Sequence, residues 1–361
     1  MLKKKVCIIA QFPPPLHGLS KAVDTLYRSN DLNGDFELVK VDIADNKKFL
    51  SNFIFISKVD ADLFYFTISQ SLWGNVRDLL IMFLLMKRGK KCLIHLHGGF
   101  FRKLYDNYMC SIQKKLNRIV LDNVVGSIVL SNSLRGIFKD LVKDSRIFVV
   151  PNCVDNEYVL SYDEMIDKVS AANGVYHVLY LSNFIRSKGY DIVLNMAKEY
   201  QKHPFSKKLH FDFAGSFFSK EERCYFENYV QQNGIRDIVT YHGTVFGNAK
   251  KKLLKTCTFF ALPSKYPKEG QPISILEAMA NGMVVLTTNH AGIPDVVKNE
   301  INGCVVNLDE EIVATYLNFI ESLSAQRIAK IGLDNYETIQ ECYLENSYIS
   351  NLKNCFNQLT E

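Results

Sequence analysis

Short runs of β-branched and aromatic residues alternate with longer amphipathic stretches along the whole chain, and this alternation restricts it to the α/β class. In the first half, Val6–Phe12, Leu38–Asp42, Leu63–Thr67, Cys92–His97, Ser127–Leu130 and Phe148–Val150 read as strands. Helical spacing covers Lys21–Arg28, Val76–Lys87, Tyr108–Asp122 and Leu134–Val142 between them. In the second half the strands are Val178–Leu181, Leu209–Ala214, Ile238–Tyr241, Phe259–Leu262, Val284–Thr288 and Gly303–Val306. The helices there are Asp191–Lys202, Glu221–Asn233, Ala249–Cys257, Pro272–Ala280 and Glu310–Leu323. Continuous apolar strands between helices belong to parallel sheets covered on both faces. The expected architecture is therefore two Rossmann-like domains, 1–155 and 176–335, joined by the acidic, polar linker 156–175. A helical tail, 336–361, is expected to pack back on the first domain.

Composition permits this reading and removes others. The 361 residues are 47% hydrophobic and 22% charged, enough apolar surface for two ordinary domains and too much for a disordered chain. Glycine and proline, 28 residues together, are scattered, and no solenoid-length repeat occurs. Nine dispersed cysteines without a C-x-x-C pair suit reduced thiols rather than a disulfide framework or zinc site. Lys3, Lys4 and Lys5 precede only a short apolar run before Pro13, Pro14 and Pro15, which does not make a signal peptide. The longest uncharged apolar run, Leu79–Met86, falls far short of the roughly 20 residues of a membrane span. The expected location is cytoplasmic. The net charge of +5 is uneven: 23 Lys and Arg face 14 Asp and Glu up to Asp155, while 20 face 24 beyond it. A basic first half and a mildly acidic second half suit two modules with different partners.

Ligands of open α/β sheets lie beyond the carboxyl ends of the strands, so two such sheets point to an interdomain cleft. After the first strand comes Phe12-Pro13-Pro14-Pro15-Leu16-His17-Gly18, where Gly18 would let the backbone approach a ligand at a helix start. A plain proline-rich turn explains these residues equally well, and no G-x-G-x-x-G is present. The fourth strand ends His95-Leu96-His97-Gly98-Gly99. Alternation puts both histidines on one face, but no third metal ligand accompanies them; His97 is the candidate cleft residue and His95 a structural one. In the second half, Ser182-Asn183-Phe184-Ile185-Arg186-Ser187-Lys188-Gly189 offers two cations and a glycine before a helix, a seat for a diphosphate or else a solvated loop. The most informative stretch is Glu269-Gly270-Gln271-Pro272-Ile273-Ser274-Ile275-Leu276-Glu277-Ala278-Met279-Ala280-Asn281-Gly282. Pro272 suits a helix start and Gly282 its stop, and the apolar flank makes it a core helix without explaining Glu269-Gly270.

The E-x7-E spacing of Glu269 and Glu277 closely resembles the signature of retaining glycosyltransferase family 4, whose fold is GT-B. Three further pieces agree in order. Val149-Val150-Pro151-Asn152-Cys153-Val154-Asp155 resembles the family's interdomain segment, and Tyr241-His242-Gly243-Thr244-Val245 its nucleotide-base loop. Thr287-Thr288-Asn289-His290-Ala291-Gly292-Ile293-Pro294-Asp295 resembles its T-x-x-G-G-x-P-E stretch. Several motifs in one order specify more than any one alone. The resemblance implies that Glu277 binds the ribose of a nucleotide-sugar donor and Glu269 the transferred sugar. Gln271, Pro272 and Ile273 would lie against sugar and phosphates, Lys188 on the diphosphate, Val245 on the base, Gly18 near the phosphates and His97 near the reacting sugar. The family's G-R pair falls here on Ser182 and Asn183, so its second cation is missing; Arg186 is a candidate substitute. Cys153 stands where the family has glycine.

The function implied is a retaining, metal-independent transfer of sugar from a nucleotide diphosphate, UDP above all, to a hydroxyl of a glycan or polyprenyl-linked oligosaccharide acceptor. Neither a cofactor nor nucleic acid is expected to take part. The setting implied is bacterial surface-polysaccharide assembly. The domain 1–155 would bind acceptor and 176–335 the donor. Arg102, Lys103, Lys114 and Lys115, interleaved with Phe100, Phe101, Tyr105, Tyr108 and Met109, are acceptor candidates and candidates for peripheral contact with an anionic membrane at the inner face of the cell membrane, unless they are only a solvated face over core aromatics. Two alternatives are a non-catalytic nucleotide-sugar-binding partner of another transferase, favoured by Asn183, and a GT-B sugar-nucleotide epimerase.

Overall fold

The computed structural model describes residues 3–14, 18–170, 174–308 and 311–361. The chain divides into two compact units, Met1–Cys153 with Glu345–Glu361, and Val154–Leu344.

The first unit is built on β1 (Lys4–Ala10), β2 (Phe36–Asp42), β3 (Leu63–Thr67), β4 (Cys92–His95), β5 (Gly126–Val129) and β6 (Ile147–Val149). They form one parallel sheet in the order β2-β1-β3-β4-β5-β6. Every residue of β3, β4 and β5 is buried, which is why these strands read as unbroken apolar runs rather than as alternation. The chain's last helix, Glu345–Thr360, completes this core. Its Phe356 meets Phe36 and Tyr65 edge-on at 5.7 and 5.8 Å, and its Lys353 ammonium bridges Asp31 and Asp35 at 2.6 and 2.7 Å. Full burial of each such aromatic contributes about 1.5–3 kcal/mol.

The second unit repeats the pattern with β7 (Val175–Leu181), β8 (Lys208–Ala214), β9 (Val239–Tyr241), β10 (Phe259–Leu262), β11 (Val284–Thr288) and β12 (Gly303–Val306). Its parallel order is β12-β11-β10-β7-β8-β9. The helix Ala325–Cys342 is capped by Ser324, whose hydroxyl accepts from the Arg327 amide at 3.1 Å.

Several local expectations change. β4 stops at His95, two residues early. The stretch expected as helix 134–142 is a 3-10 helix, Asn132–Phe138, followed by turns. The expected helix 108–122 begins three residues later, as Ser111–Asn123, and a separate, unanticipated helix, Phe101–Asn107, precedes it. Helices Asn30–Asp35 and Phe49–Lys58 were not anticipated: the first is held by its Ser29 cap despite Gly34, and half of the second is phenylalanine and isoleucine. The polar segment after Asn156 carries the helix Tyr162–Ser170, fastened by the Lys168 ammonium, which donates to the carbonyls of Leu254 and Asn281 at 3.0 and 2.6 Å. Glu310, read as the start of a helix, lies outside the described residues; the helix runs Ile312–Ser322. Among the described residues no helix is long and apolar enough to cross a membrane.

Candidate functional site

β7 and β10 are neighbours in the second sheet, so the loops leaving their carboxyl ends emerge side by side. One carries Lys188 and the other Glu269. Gly189 makes the close approach possible: its φ is +83°, and a Cβ there would lie 2.4 Å from the Pro263 carbonyl oxygen. The Lys265 amide then donates to the Ser187 carbonyl at 2.7 Å, tying the loops together. The result is a buried ion pair, Lys188 Nζ to Glu269 Oε2 at 3.3 Å, with the Tyr266 ring 5.1 Å from the ammonium. A carboxylate only 7% exposed requires such partners. Ser264 supplies another, its hydroxyl donating to Glu269 Oε2 at 2.9 Å. β11 holds this loop from behind: Thr288 donates its hydroxyl to the Ser264 carbonyl, and the Gly292 amide donates to the Gly270 carbonyl at 2.8 Å. His290 Nε2 lies 2.8 Å from the Tyr266 carbonyl.

Glu277 forms a second buried pair. The helix Ile273–Met279 carries it, and Lys250 Nζ donates to its Oε1 at 2.6 Å. The same ammonium lies 4.1 Å from the centre of the Tyr158 ring. Asn281 Nδ2 donates to the carbonyls of both Tyr158 and Glu277, at 2.6 and 2.8 Å. Burial pushes the Tyr158 hydroxyl up to about 12, so it stays protonated and accepts from the Gly247 amide at 3.2 Å. Gln271 and Pro272 are buried at the start of the Glu277 helix, Ile273 is half-buried, and Val245 packs against the core of this unit. Sequence reasoning missed Lys250, Tyr158, Ser264 and Tyr266. Lys250 is one of three consecutive lysines, and nothing local distinguishes it.

Arg186 is placed elsewhere. Its guanidinium stacks 3.8 Å over the Tyr225 ring, with Nη2 3.5 Å from Glu222 Oε2, a carboxylate that also accepts from the Tyr190 hydroxyl. It is thus joined to the helix Lys220–Gln232 rather than to the Lys188–Glu269 pair. Asn183 accepts from the Ser216 hydroxyl at 3.0 Å. Beside it Gly215 is at φ +142°, where a Cβ would come within 1.9 Å of the Ser182 carbonyl oxygen.

In the first unit, Gly18 opens the helix Gly18–Arg28 and is exposed; the preceding Pro15, Leu16 and His17 lie outside the described residues. His97, half-buried, stacks on His95 with ring centroids 3.8 Å apart. His95 Nδ1 lies 2.6 Å from the Tyr65 hydroxyl, and burial together with the His97 ring holds His95 well below the usual histidine range, hence neutral. The expected interleaving of basic residues with exposed aromatics gives way to a core: Phe101, Tyr105 and Met109 are buried and only Tyr108 is largely exposed. Phe101, Leu104 and Tyr105 share one helix face, and that face is inward. Arg102 pairs with Asp106 at 2.8 Å and Lys114 donates to the Asp106 carbonyl at 2.7 Å, while Lys103 and Lys115 are exposed.

A polar cluster unread in the sequence lies on β7, β8 and the end of β9. Asp212, 4% exposed, meets His177 Nδ1 and His242 Nε2 at 2.7 Å each, and His210 Nε2 lies 2.9 Å from the Thr240 hydroxyl. Burial alone would raise the Asp212 carboxyl, but the bonds from both histidines hold it far below the usual range. His177 is raised, chiefly by its bond to Asp212, and His210 is lowered by burial. Stability from the depressed carboxyl is present above its unfolded value near 4 and lost as pH falls; stability from the raised His177 is present below about 6.5 and lost as pH rises through its folded value. The expected result is that Asp212→Asn removes the His177 share of the pH dependence, so that thermal stability falls less, or rises more, from pH 6 to 8 than in the wild type, while His210, lowered by burial, acts in the opposite sense in both proteins. An unchanged slope in that variant would refute the assignment. Among the described residues no group of three or more His, Cys, Asp or Glu is arranged to hold a metal ion.

Two six-stranded parallel sheets, with paired carboxylates and lysines at the strand ends of the second, define the GT-B class of fold. The solved structure of HepE from Anabaena in complex with UDP has a TM-score of 0.75 at 14% identity, covering 98% of this chain and 100% of that one. Sucrose-phosphate synthase from Thermosynechococcus elongatus gives 0.73 at 15%, covering 99% of each chain. More particularly, residues 161–330 match the family model described as Glycosyl transferases group 1. An uncharacterized glycosyltransferase of Methanocaldococcus jannaschii is 30% identical over 148 residues, 40% of this chain and 36% of the relative. WcaL of Escherichia coli, a protein named for colanic acid biosynthesis, is 30% identical over 107 residues, 28% of this chain and 26% of the relative. The chain thus spans about a third of the length of the curated relatives it matches.

Proposed function

We propose that the protein is a retaining, metal-independent glycosyltransferase that moves a sugar from a nucleoside diphosphate, UDP by preference, to a hydroxyl of a glycan or polyprenyl-linked oligosaccharide. The observation that carries the reading is the pair of buried carboxylates, Glu269 and Glu277, each held by its own lysine at the strand ends of the second sheet. HepE and the trehalose-6-phosphate enzyme of E. coli are solved with UDP or a UDP-sugar, which supports UDP as the base-bearing group.

Carboxylates accept hydrogen bonds from vicinal hydroxyls, so Glu277 would take the ribose and Glu269 the transferred sugar. Lys188 would exchange its Glu269 partner for the diphosphate as donor binds. In the reaction the bond from the anomeric carbon to the diphosphate oxygen breaks and a bond to the acceptor oxygen forms on the same face. The acceptor proton passes to the departing phosphate. Lys188 stabilises the charge growing on that leaving group, the role of a preorganised cation.

Lys250 positions Glu277. Replacing it with methionine is expected to raise the donor KM about tenfold with little change in kcat, because an oriented, charge-assisted hydrogen bond is worth about 1.5–3 kcal/mol. An unchanged KM would remove Lys250 from the site. The proposal as a whole is tested by incubating the protein with UDP-, GDP- and ADP-sugars in the presence of EDTA and measuring nucleotide release with and without lipid-linked acceptor. Release from one donor supports it; binding without turnover on any acceptor supports the non-catalytic partner; no binding of any nucleotide refutes the donor site.

A further inference from the structure

Three helices follow β2, β3 and β4 in turn: Phe49–Lys58, Leu72–Lys87 and Ser111–Asn123. They pack side by side, on the one face that right-handed crossovers between these parallel strands allow. Their inward sides are ordinary core, with Ile56, Leu79, Met82, Leu85 and Val120 buried. Between the second and third helices, the buried Asn75 and Asn117 exchange side-chain hydrogen bonds of 2.9 Å. Gln113 reaches the Leu72 carbonyl at 3.4 Å, which sets the start of the third helix beside Trp73.

The outward sides are not ordinary. Trp73, Val76 and Leu80 follow one another at steps of three and four, a single stripe of the middle helix, and are 87%, 41% and 48% exposed. Ile54 and Phe55 on the first helix are each 46% exposed, and Ile112 on the third 72%. The middle helix therefore presents apolar side chains both to the core and to solvent, where a surface helix would carry polar ones. Its one acidic residue, Asp78, is fully buried, bonded to Arg77 and to the Ser69 amide. The first helix has no acidic residue at all. Around the apolar stripes stand exposed Lys47, Lys48 and Lys58 on one side and Lys115 and Arg118 on the other. Acidic side chains stand at the ends of this face: Asp45, whose carboxylate caps the Lys47 amide, Asp60, paired with Lys90, and Asp122.

We infer that this three-helix face docks on an anionic lipid bilayer, with Trp73, Val76, Leu80 and their neighbours in the acyl boundary and the lysines and arginine against headgroup phosphates. An apolar stripe with a rim of one charge sign has the composition of an interfacial surface. A second copy of the chain fits it poorly, because a two-fold pairing would set that positive rim against itself. Trp73 opens the helix that follows β3, so the docked surface adjoins the carboxyl end of the first sheet, where ligands of such sheets enter. The purpose thus assigned, meeting a lipid-linked acceptor, rests on the function proposed above; the lipid contact itself does not. It also moves the membrane contact from Arg102, Lys103 and Lys114 to a different set of residues.

Trp73 is the chain's single tryptophan, so it reports directly on its surroundings. Full-length protein is mixed with vesicles of phosphatidylcholine alone or with phosphatidylglycerol added. The expected result is a shift of tryptophan emission to shorter wavelength and co-sedimentation with the anionic vesicles only, weakening as salt is raised. V76E/L80E, two exposed substitutions whose folding is checked by thermal melting, should lower vesicle partitioning at least about tenfold. K47E/K48E should weaken it with no change of core. Absence of shift and sedimentation on anionic vesicles overturns the inference, as does wild-type partitioning by V76E/L80E. An emission shift that grows with protein concentration without vesicles would assign the face to a second copy. UDP binding measured on the same samples reports separately on the donor site.

Discussion

Glu269→Gln is expected to lower donor turnover by about 10²–10³-fold, with a smaller change in KM and a melting temperature lower by about 2–4 °C, because Lys188 loses its buried partner. The substitution keeps the side chain's shape and its ability to accept from the Ser264 hydroxyl, 2.9 Å away, but removes the charge that faces Lys188 at 3.3 Å. Two losses coincide. The sugar hydroxyls lose a charged acceptor, and the ammonium of Lys188 loses the partner that holds it at the mouth of the loop before donor arrives. Because the carboxylate is buried, water does not replace either contact. Nucleotide release from the purified variant, measured beside a melt, decides the matter. A fall of less than about threefold would mean that Glu269 is a structural acid satisfied by Ser264 and Lys188 and nothing more.

Gly189→Ala is expected to have the largest effect on stability, about 3 kcal/mol, or on the order of 10 °C in Tm for a unit of this size. A left-handed φ of +83° costs any residue with a Cβ, and here the new methyl would sit 2.4 Å from a backbone oxygen, that of Pro263, which cannot rotate away. Relief requires the loop 182–189 to part from the loop after β10. Because Lys188 is the adjacent residue, the same movement would separate it from Glu269. Stability and turnover should therefore fall together, whereas Gly234→Ala, also left-handed but with open space around it, should lose only the smaller backbone cost. A Gly189→Ala protein within about 0.5 kcal/mol of wild type would refute the close packing of the two loops.

The strands were legible because full burial on both faces leaves an unmistakable run: Leu63–Thr67 and Phe259–Leu262 have no outward side to carry polar residues. Helices were legible where amphipathic, as in Tyr190–Lys202, and illegible where the outward face is itself apolar, as in Phe49–Lys58. Phe101 and Tyr105 could belong to core or surface by spacing alone, and only the packing of their helix assigned them to the core.

Lys188 and Glu269 stood out at strand ends through the glycines beside them, whereas the role of Glu277 came from the resemblance of the Glu269–Glu277 spacing to a glycosyltransferase signature. Their partners carried no such mark. Lys250 stands 27 positions before Glu277, and His177 stands 35 before Asp212. The local sequence therefore determined which segments become strand, helix and loop, since those depend on the burial periodicity of adjacent residues. Which charges neutralise one another, which lysine stays exposed and which helix face remains apolar in water depend on distances between segments far apart in the chain. Those were decided only when each parallel sheet formed and brought its own loops and helices together.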